Sequence, residues 1–266
     1  MIATLSLALV LLGPPESLQK PRPELPPKLR SPEEILNDYV AAIGGAPAWN
    51  RLKAMHLKRH LEVKGMQFSG TEERYATSTG QMLDLMEITN VMSARQGTDG
   101  KVQWADDQIF GLRILKGTEA EEARLDSTWN ADLKIKQLYE KVRAVPPPET
   151  PPAGQKWECL ELIPRTGKPA IACFDDVTHL RAMQKGSKAT PQGETPYRTV
   201  LSDWREVKGV KINFAEELTM GPVTLQAKVT EVKFDEKLPA KLFELPKAAK
   251  NVKRPAAGAE PAAPPK

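Results

Sequence analysis

The sequence between Tyr197 and Phe234 is YRTVLSDWREVKGVKINFAEELTMGPVTLQAKVTEVKF, and it predicts three consecutive antiparallel strands. Gly209 and Gly221 interrupt the apolar pattern, and glycine accepts the positive φ that a tight turn needs. In the last strand every second residue from Val223 to Val229 is apolar, which is the period of a strand with one buried face. The alternation shifts by one residue near Thr230, which predicts a β-bulge and a curved sheet.

Two helical regions accompany further predicted strands. Ser31-Pro32-Glu33-Glu34 forms a capping box with proline at the first helical position, and Gly44-Gly45 ends that helix. A second helical region extends from Glu119 to about Tyr139, either as one long helix or as two helices with a break near Asn130. Helices segregated from a long meander predict an α+β fold, in which helices cover the concave face of a curved antiparallel sheet. We expect a half-barrel of about 10–11 strands.

The two cysteines are predicted to lie on neighbouring strands. Cys159 and Cys173 fall in the strands Trp157–Ile163 and Pro169–Phe174, which a short loop connects. If that loop is centred on Thr166, the two cysteines lie directly opposite each other, close enough for a disulfide. The alternative is a pair of buried free thiols. Export of the protein to an oxidising compartment would favour the disulfide.

The chain of 266 residues has a formal net charge of +4, which comes from its ends. Residues 247–266 carry a net +4 and residues 1–30 a net +2, so residues 31–246 carry −2. A body that is almost neutral lacks the clustered basic face that nucleic acid requires. We therefore expect no nucleic-acid partner, while 40% hydrophobic residues are ample for a core.

The ends of the chain predict export and an extended linker. Residues 1–13 are apolar and precede Pro14-Pro15, which is typical of a signal peptide, although no basic residue comes before them. Residues 14–30 are predicted to be a Pro-rich linker and residues 31–246 a single domain. Residues 247–266, rich in Ala, Pro and Lys, are predicted to be a disordered tail. We expect a periplasmic or otherwise exported protein.

The sequence offers little evidence for catalysis. His56 and His60 alternate with apolar residues as in a strand, which places them roughly 13 Å apart and exposes them to solvent. One metal ion cannot bind both. Asp175 and His179 are predicted to belong to a turn. None of the familiar nucleotide-binding, serine hydrolase or metalloprotease motifs occurs, so we expect no enzymatic activity, no metal and no cofactor.

Apolar strand residues suggest a ligand cavity instead. The predicted strand Met82–Thr89 has apolar residues on both faces, as expected for a strand that is buried twice or lines a cavity. A half-barrel too wide to be filled by side chains can take up apolar molecules. The alternative is a filled core beneath the helices. The candidate lining residues are Leu83, Leu85, Trp104, Trp204, Phe214 and Leu218.

Three segments carry a resemblance to a known family. They are Gly97–Trp104, Cys173–Leu180 and Leu201–Phe214. Together with the opening helix that ends at Gly44-Gly45, they resemble LolA-like proteins, the outer-membrane lipoprotein-sorting superfamily and its bacterial relatives, over residues 31–246. The resemblance implies a periplasmic half-barrel whose apolar concave face holds acyl chains. His179 stands where relatives often have glycine at this turn.

Two main functional hypotheses follow. The first is a non-enzymatic cell-envelope protein that binds a lipid or a lipoprotein acyl chain and takes part in lipoprotein sorting or lipid transport. Other envelope proteins and a peripheral membrane contact are further expected partners. The second is an envelope interaction module with a filled core, which uses its basic tail to meet an anionic surface or partner. A hydrolase that depends on His179 is the third.

Overall fold

The computed structural model of the chain describes residues 29–247. The predicted signal peptide lies outside the described residues. So do the predicted linker, except for Leu29 and Arg30, and the predicted tail, except for Lys247.

Thirteen strands form one antiparallel sheet, which starts at β6 and ends at β7 and does not close. Strands β1 to β6 form one meander and β7 to β13 another, and β1 pairs with β13 to join them. The strands are β1 Ala54–Val63, β2 Ser69–Thr77, β3 Met82–Ile88, β4 Met92–Thr98, β5 Gln103–Asp107, β6 Arg113–Ile114, β7 Lys141–Val145, β8 Trp157–Ile163, β9 Ala170–Asp175, β10 Arg181–Thr190, β11 Gly193–Val207, β12 Val210–Met220 and β13 Val223–Phe234.

The helices are α1 Pro32–Ala42, α2 Gly45–Arg51, α3 Gly117–Ser127 and α4 Ile135–Leu138, with 3₁₀ turns at Ala131–Lys134 and Ala240–Phe243. The predicted capping box of α1 is confirmed. Of the two alternatives for the second helical region, the structure has the broken one, with the break at Asn130, whose φ is 54°. Helix α2 directly follows Gly44 and leads into β1.

The fold class is confirmed as a curved α+β half-barrel. The sheet has two more strands than the upper expectation, and both are edge strands. Strand β6 has 2 residues, too few for a pattern to be recognised. Strand β7 has 5 residues and directly precedes three prolines, so its apolar pattern is too short to be recognised.

The meander that decides the fold has the predicted register. Val207 pairs with Val210 and Met220 with Val223, which places the tight turns at Gly209 and Gly221. The register between β1 and β13 shifts by one residue: Lys58 pairs with Glu231, whereas Arg59 pairs with Val229. The residue left over is Thr230, so the predicted bulge is confirmed.

The cysteine hairpin also has the predicted register. Cys159 pairs with Cys173 across β8 and β9, and the two form a disulfide. Both residues are buried, in a cluster with Trp157 and Met183.

The two faces of the sheet are covered by different parts of the chain. On the inner, concave face, α1 packs its apolar side against β8 and β9, where Tyr39 and Phe174 rings lie 4.8 Å apart between their centres. The disulfide lies on the outer face, since successive strand residues point to opposite faces. Also on the outer face, Phe243 and Leu245 from the segment after β13 cover Leu83 and Trp104.

Gly44, between α1 and α2, fits against the β11–β12 turn only because it has no side chain. Its φ is +107°, and a Cβ there would lie 2.3 Å from the carbonyl oxygen of Gly209. We expect Gly44→Ala to lower the free energy of unfolding by roughly 3 kcal/mol, from the steric clash and the backbone strain together. Urea unfolding measures the loss.

Gly65 is the matched control for this prediction. It also has a positive φ, +77°, but nothing lies within 4 Å of the position of its Cβ. Gly65→Ala therefore introduces only the backbone strain, about 1 kcal/mol. Equal losses in the two variants would contradict the close packing of Gly44 on the turn.

Candidate ligand-binding cavity

A cavity of about 230 Å³ lies on the inner face, between the sheet and the segment 126–133 that follows the body of α3. Strands β1, β2, β3 and β12 form its floor, and α2 supplies one wall. Its apolar walls are the side chains of Trp49, Met55, Leu57, Ala76, Met82, Trp129, Leu133 and Ile212.

Polar contacts hold the segment 126–133 in place over the cavity. Asp126 accepts a hydrogen bond from the Lys188 ammonium at 2.7 Å. The Asn130 amide donates to the carbonyl oxygen of Trp49 at 3.2 Å, and Asp132 pairs with Arg181. Helix α3 itself buries only Leu125 and Ser127. The apolar anchors of the cover are Trp129 and Leu133, which pack against two core clusters.

Arg181 joins the cover to α1 and to the sheet. Its guanidinium donates to the hydroxyl of Tyr39 at 3.0 Å as well as to Asp132. Burial raises the pKa of Tyr39, so the hydroxyl stays protonated. Burial by itself would lower the pKa of Arg181. The charge of Asp132 and the hydroxyl of Tyr39 outweigh this effect, so the pKa of Arg181 is raised. Each charged group of this network has a partner, and these contacts offset the cost of removing the charges from water.

Charged side chains also cross the floor of the inner face, and we name them the polar belt. Its first part is Arg59, which lies 3.2 Å from Glu72 and 3.7 Å from Glu216. Its second part is Arg74, whose Nε donates to Asp84 at 2.8 Å. The charge of Asp84 raises the pKa of Arg74. These ion pairs interrupt the apolar surface of the inner face.

The polar belt separates two apolar regions. On one side is the cavity, which contains Leu57 of β1. On the other side are Leu61 and Val63 of the same strand, which pack with Ile88 and Ala227 in a cluster of their own. A long acyl chain lying along the inner face would therefore have to cross charged groups.

No family model matches this sequence, and no curated protein matches it. Solved structures do match. A DUF1329 family protein from Desulfovibrio piger aligns with a TM-score of 0.51 at 11% identity, over 80% of this chain and 96% of that chain. A LolA superfamily protein from Nitrosomonas europaea aligns with a TM-score of 0.53 at 10% identity, over 81% of this chain and 98% of that chain.

The chain has a LolA-like fold. The expected half-barrel and the expected resemblance are thereby confirmed. Sequence identities of 10–11% establish a similarity of fold only. The chemistry of this chain depends on its own residues.

The LolA-like sheet does not bring the six predicted lining residues together. Leu83 and Trp104 lie on the outer face, buried beneath the segment after β13, and Leu85 is exposed on that same face. Period-two alternation places residues on one face or the other but does not say which face is concave. The neighbours Met82 and Asp84 are the ones that face inward.

The other three predicted residues lie on the second meander. Trp204 packs against the α1 cluster. Phe214 lies beneath the Arg205 guanidinium, 4.6 Å from the ring centre. Leu218 pairs with Leu225 near the edge of the inner face. None of the six lines the cavity. Sequence analysis missed the cavity residues because segment 126–133 meets the sheet only after folding.

His56 is not a solvent-exposed strand residue, contrary to the expectation. It is 8% exposed and stacks on Tyr75, with 4.3 Å between the ring centres. Its two ring nitrogens lie 3.4 Å from Glu73 and 3.2 Å from Glu236. Glu236 belongs to the segment after β13, which covers this strand from a distant part of the sequence.

Within residues 29–247, the candidate polar residues do not form a metal site. No group of three or more His, Cys, Asp or Glu residues there is placed to hold a metal ion. Asp175 accepts hydrogen bonds from the backbone of Val177 at 3.2 Å and Thr178 at 2.8 Å, which is the predicted turn. In the same described part, no helix is long and apolar enough to cross a membrane. The absence of enzymatic activity stays a prediction.

Proposed function

We propose that this LolA-like chain is a non-enzymatic cell-envelope protein that binds an apolar ligand, a lipid or a lipoprotein acyl chain, in the inner cavity. The observation that carries the proposal is the cavity itself, whose lining combines apolar side chains with charged ones such as Arg59 and Arg74, beneath a cover held in part by polar contacts. The disulfide supports the export of the protein, because disulfides persist in the oxidising compartments that exported proteins reach.

The size of the cavity limits how such a ligand is held. Its volume of about 230 Å³ is below the roughly 300–1,000 Å³ of pockets that enclose a drug-sized ligand. We infer that the end of an apolar chain enters, or that a larger ligand displaces segment 126–133. Displacing the segment exchanges the contacts of Asp126, Asn130 and Asp132 for water. It also uncovers Trp129 and Leu133, whose apolar side chains the ligand then has to cover.

The direct test is native mass spectrometry of protein purified from its own envelope fraction, followed by organic extraction. A discrete adduct that extracts as lipid supports the proposal and identifies the ligand. A bare polypeptide mass, confirmed after incubation with candidate lipids, contradicts it. An esterase and peptidase screen with His179→Ala tests the non-enzymatic part, since turnover that disappears in this variant would overturn it.

Filling the cavity tests where the ligand binds. Ala131 lines the cavity from its cover. We expect Ala131→Phe to weaken the binding of a fluorescent fatty-acid analogue by about tenfold or more, because the added ring occupies the space of the ligand. Fluorescence titration measures the change.

The matched control is Ala153→Phe, which adds the same ring at an exposed position in the loop before β8. We expect its affinity for the probe to equal that of the unaltered protein. Similar losses in both variants, or none in Ala131→Phe with the fold intact, would remove the cavity from the proposal.

A second candidate function is an interaction module with a filled core. The polar belt and the small cavity favour it, because both reduce the apolar space available to a ligand. Deleting residues 248–266 distinguishes the two functions. Loss of an envelope partner in a pull-down, with probe binding unchanged, supports the module, while an unchanged pull-down argues against it.

A further inference from the structure

We propose that one rim of the sheet docks onto a membrane surface of anionic and neutral lipids. This rim consists of the four hairpin connections β1–β2, β3–β4, β5–β6 and β12–β13, and we name it the apolar rim. The proposal rests on the rim alone and does not depend on what the inner cavity binds.

The pairing of the strands brings the four connections to the same end of the sheet. Val63 at the end of β1 pairs with Leu225 near the start of β13, so those two connections are neighbours. The Lys64 N–H donates to the carbonyl oxygen of Thr224 at 2.9 Å. The next two connections follow because adjacent strands alternate in direction. Thr89 N–H donates to the carbonyl oxygen of Ser69 at 2.9 Å.

Large apolar side chains are exposed at every one of these connections. Eight large hydrophobic residues are exposed in the described part of the chain, and five of them belong to the apolar rim. The connections at the opposite end of the sheet contain one, Val177, at the β9–β10 turn. Single exposed apolar residues are ordinary, but a set gathered at one end marks an interaction site. The five are Met66, Phe68, Val91, Ile109 and Val223, between 40% and 70% exposed.

The charges of the apolar rim suit a membrane surface. Residues 64–68, 89–91, 108–112 and 221–222 contain Lys64 and neither Asp nor Glu. The β8–β9 connection adds Arg165 and Lys168 at the same end of the sheet, on the far side of the β10–β11 connection. Acidic residues begin within the strands, with exposed Glu87 in β3 and exposed Glu194 in β11. Apolar loop residues with basic residues nearby are typical of segments that lie in the headgroup region.

The positive charge available to lipid headgroups is modest. Lys64 already pairs with Glu217 at 2.9 Å. The pKa of Glu121 is lowered mainly by its hydrogen bond with Arg124 and to a smaller extent by the nearby charge of Arg165. The apolar side chains therefore supply most of the interaction. We expect binding to weaken only about two- to threefold when the salt concentration is raised from 0.1 to 0.5 M.

Vesicle flotation of protein purified from the envelope fraction tests the proposal, with vesicles of phosphatidylethanolamine and phosphatidylglycerol. We expect the unaltered protein to float with the vesicles. The triple variant Met66→Ser, Phe68→Ser, Ile109→Ser should bind at least about tenfold more weakly, because three apolar side chains no longer enter the bilayer. The control Val177→Ser, at the opposite end, should bind within about twofold of the unaltered protein.

A second readout locates the contact. In a Phe68→Trp variant we expect a blue shift of the new tryptophan emission on addition of vesicles, and a Val177→Trp variant should show no shift. The proposal is overturned if the unaltered protein does not bind vesicles, or if the triple variant floats as well as the unaltered protein. It is equally overturned if deleting residues 248–266 abolishes flotation while the triple variant keeps it, since the tail would then be the membrane contact.

Discussion

Asp84→Ala is expected to lower the free energy of unfolding by about 3 kcal/mol, because it leaves the Arg74 guanidinium in the polar belt without its carboxylate. The side chain of Asp84 is 8% exposed and accepts from Arg74 at 2.8 Å and from Gln96 at 3.3 Å. Removing Asp84 leaves the charge of Arg74, whose side chain is 27% exposed, without a partner in a largely buried position. Equilibrium urea unfolding at neutral pH measures the loss.

Two comparisons separate this effect from ordinary loss of contacts. Asp106→Ala breaks a more exposed ion pair with Arg95 in the same region of the sheet and should cost less than about 1 kcal/mol. The double variant Arg74→Met, Asp84→Leu removes both charges and should recover most of the stability lost in Asp84→Ala. If Asp84→Ala costs no more than Asp106→Ala, the belt is not a buried ion pair in solution.

Removing the disulfide is the second substitution with a large expected effect. We expect the double variant Cys159→Ala, Cys173→Ala to lose about 3 kcal/mol of stability, since the bridge closes a loop of 14 residues. For a domain of this size, such a loss corresponds to a decrease of the melting temperature by about 6–12 °C. Calorimetry of the variant and of the unaltered protein measures the difference.

The reduced form of the unaltered protein is the control for this prediction. It keeps both sulfur atoms in the cluster with Trp157 and Met183 and loses only the covalent bond. If the stabilisation comes from the bond, the reduced protein and the double variant should melt within about 2 °C of each other. A reduced protein as stable as the oxidised one would show that burial of the two side chains is sufficient.

Local patterns in the sequence predicted the features that depend on neighbouring residues. The capping box at Ser31, the break at Asn130 and the turns at Gly209 and Gly221 each follow from the conformational preferences of one or two residues. The bulge at Thr230 follows from a change of parity within one strand, and the cysteine pairing from the symmetry of one hairpin. These predictions held because each element contains the information that specifies it.

The candidate site was not predictable in the same way. Its cover comes from segment 126–133 and its floor from strands as far apart in the sequence as β1 and β12. Asp84 lies between Met82 and Met86 on one face of β3, and that placement alone could have indicated a charge on the inner face. Sequence analysis weighed only the apolar members of this strand.

The sequence alone specifies most of the strands, their turns and the class of fold, since period-two alternation and turn residues act over short distances. It does not specify the edge strands β6 and β7 or the pairing of β1 with β13. The tertiary structure decided which face of the sheet became concave and what covered each face. Helix α1 and segment 126–133 cover one face, and the segment after β13 buries Leu83, Trp104 and His56 on the other. Both faces of β3 carry large apolar residues, so only these distant coverings distinguish a cavity from a core.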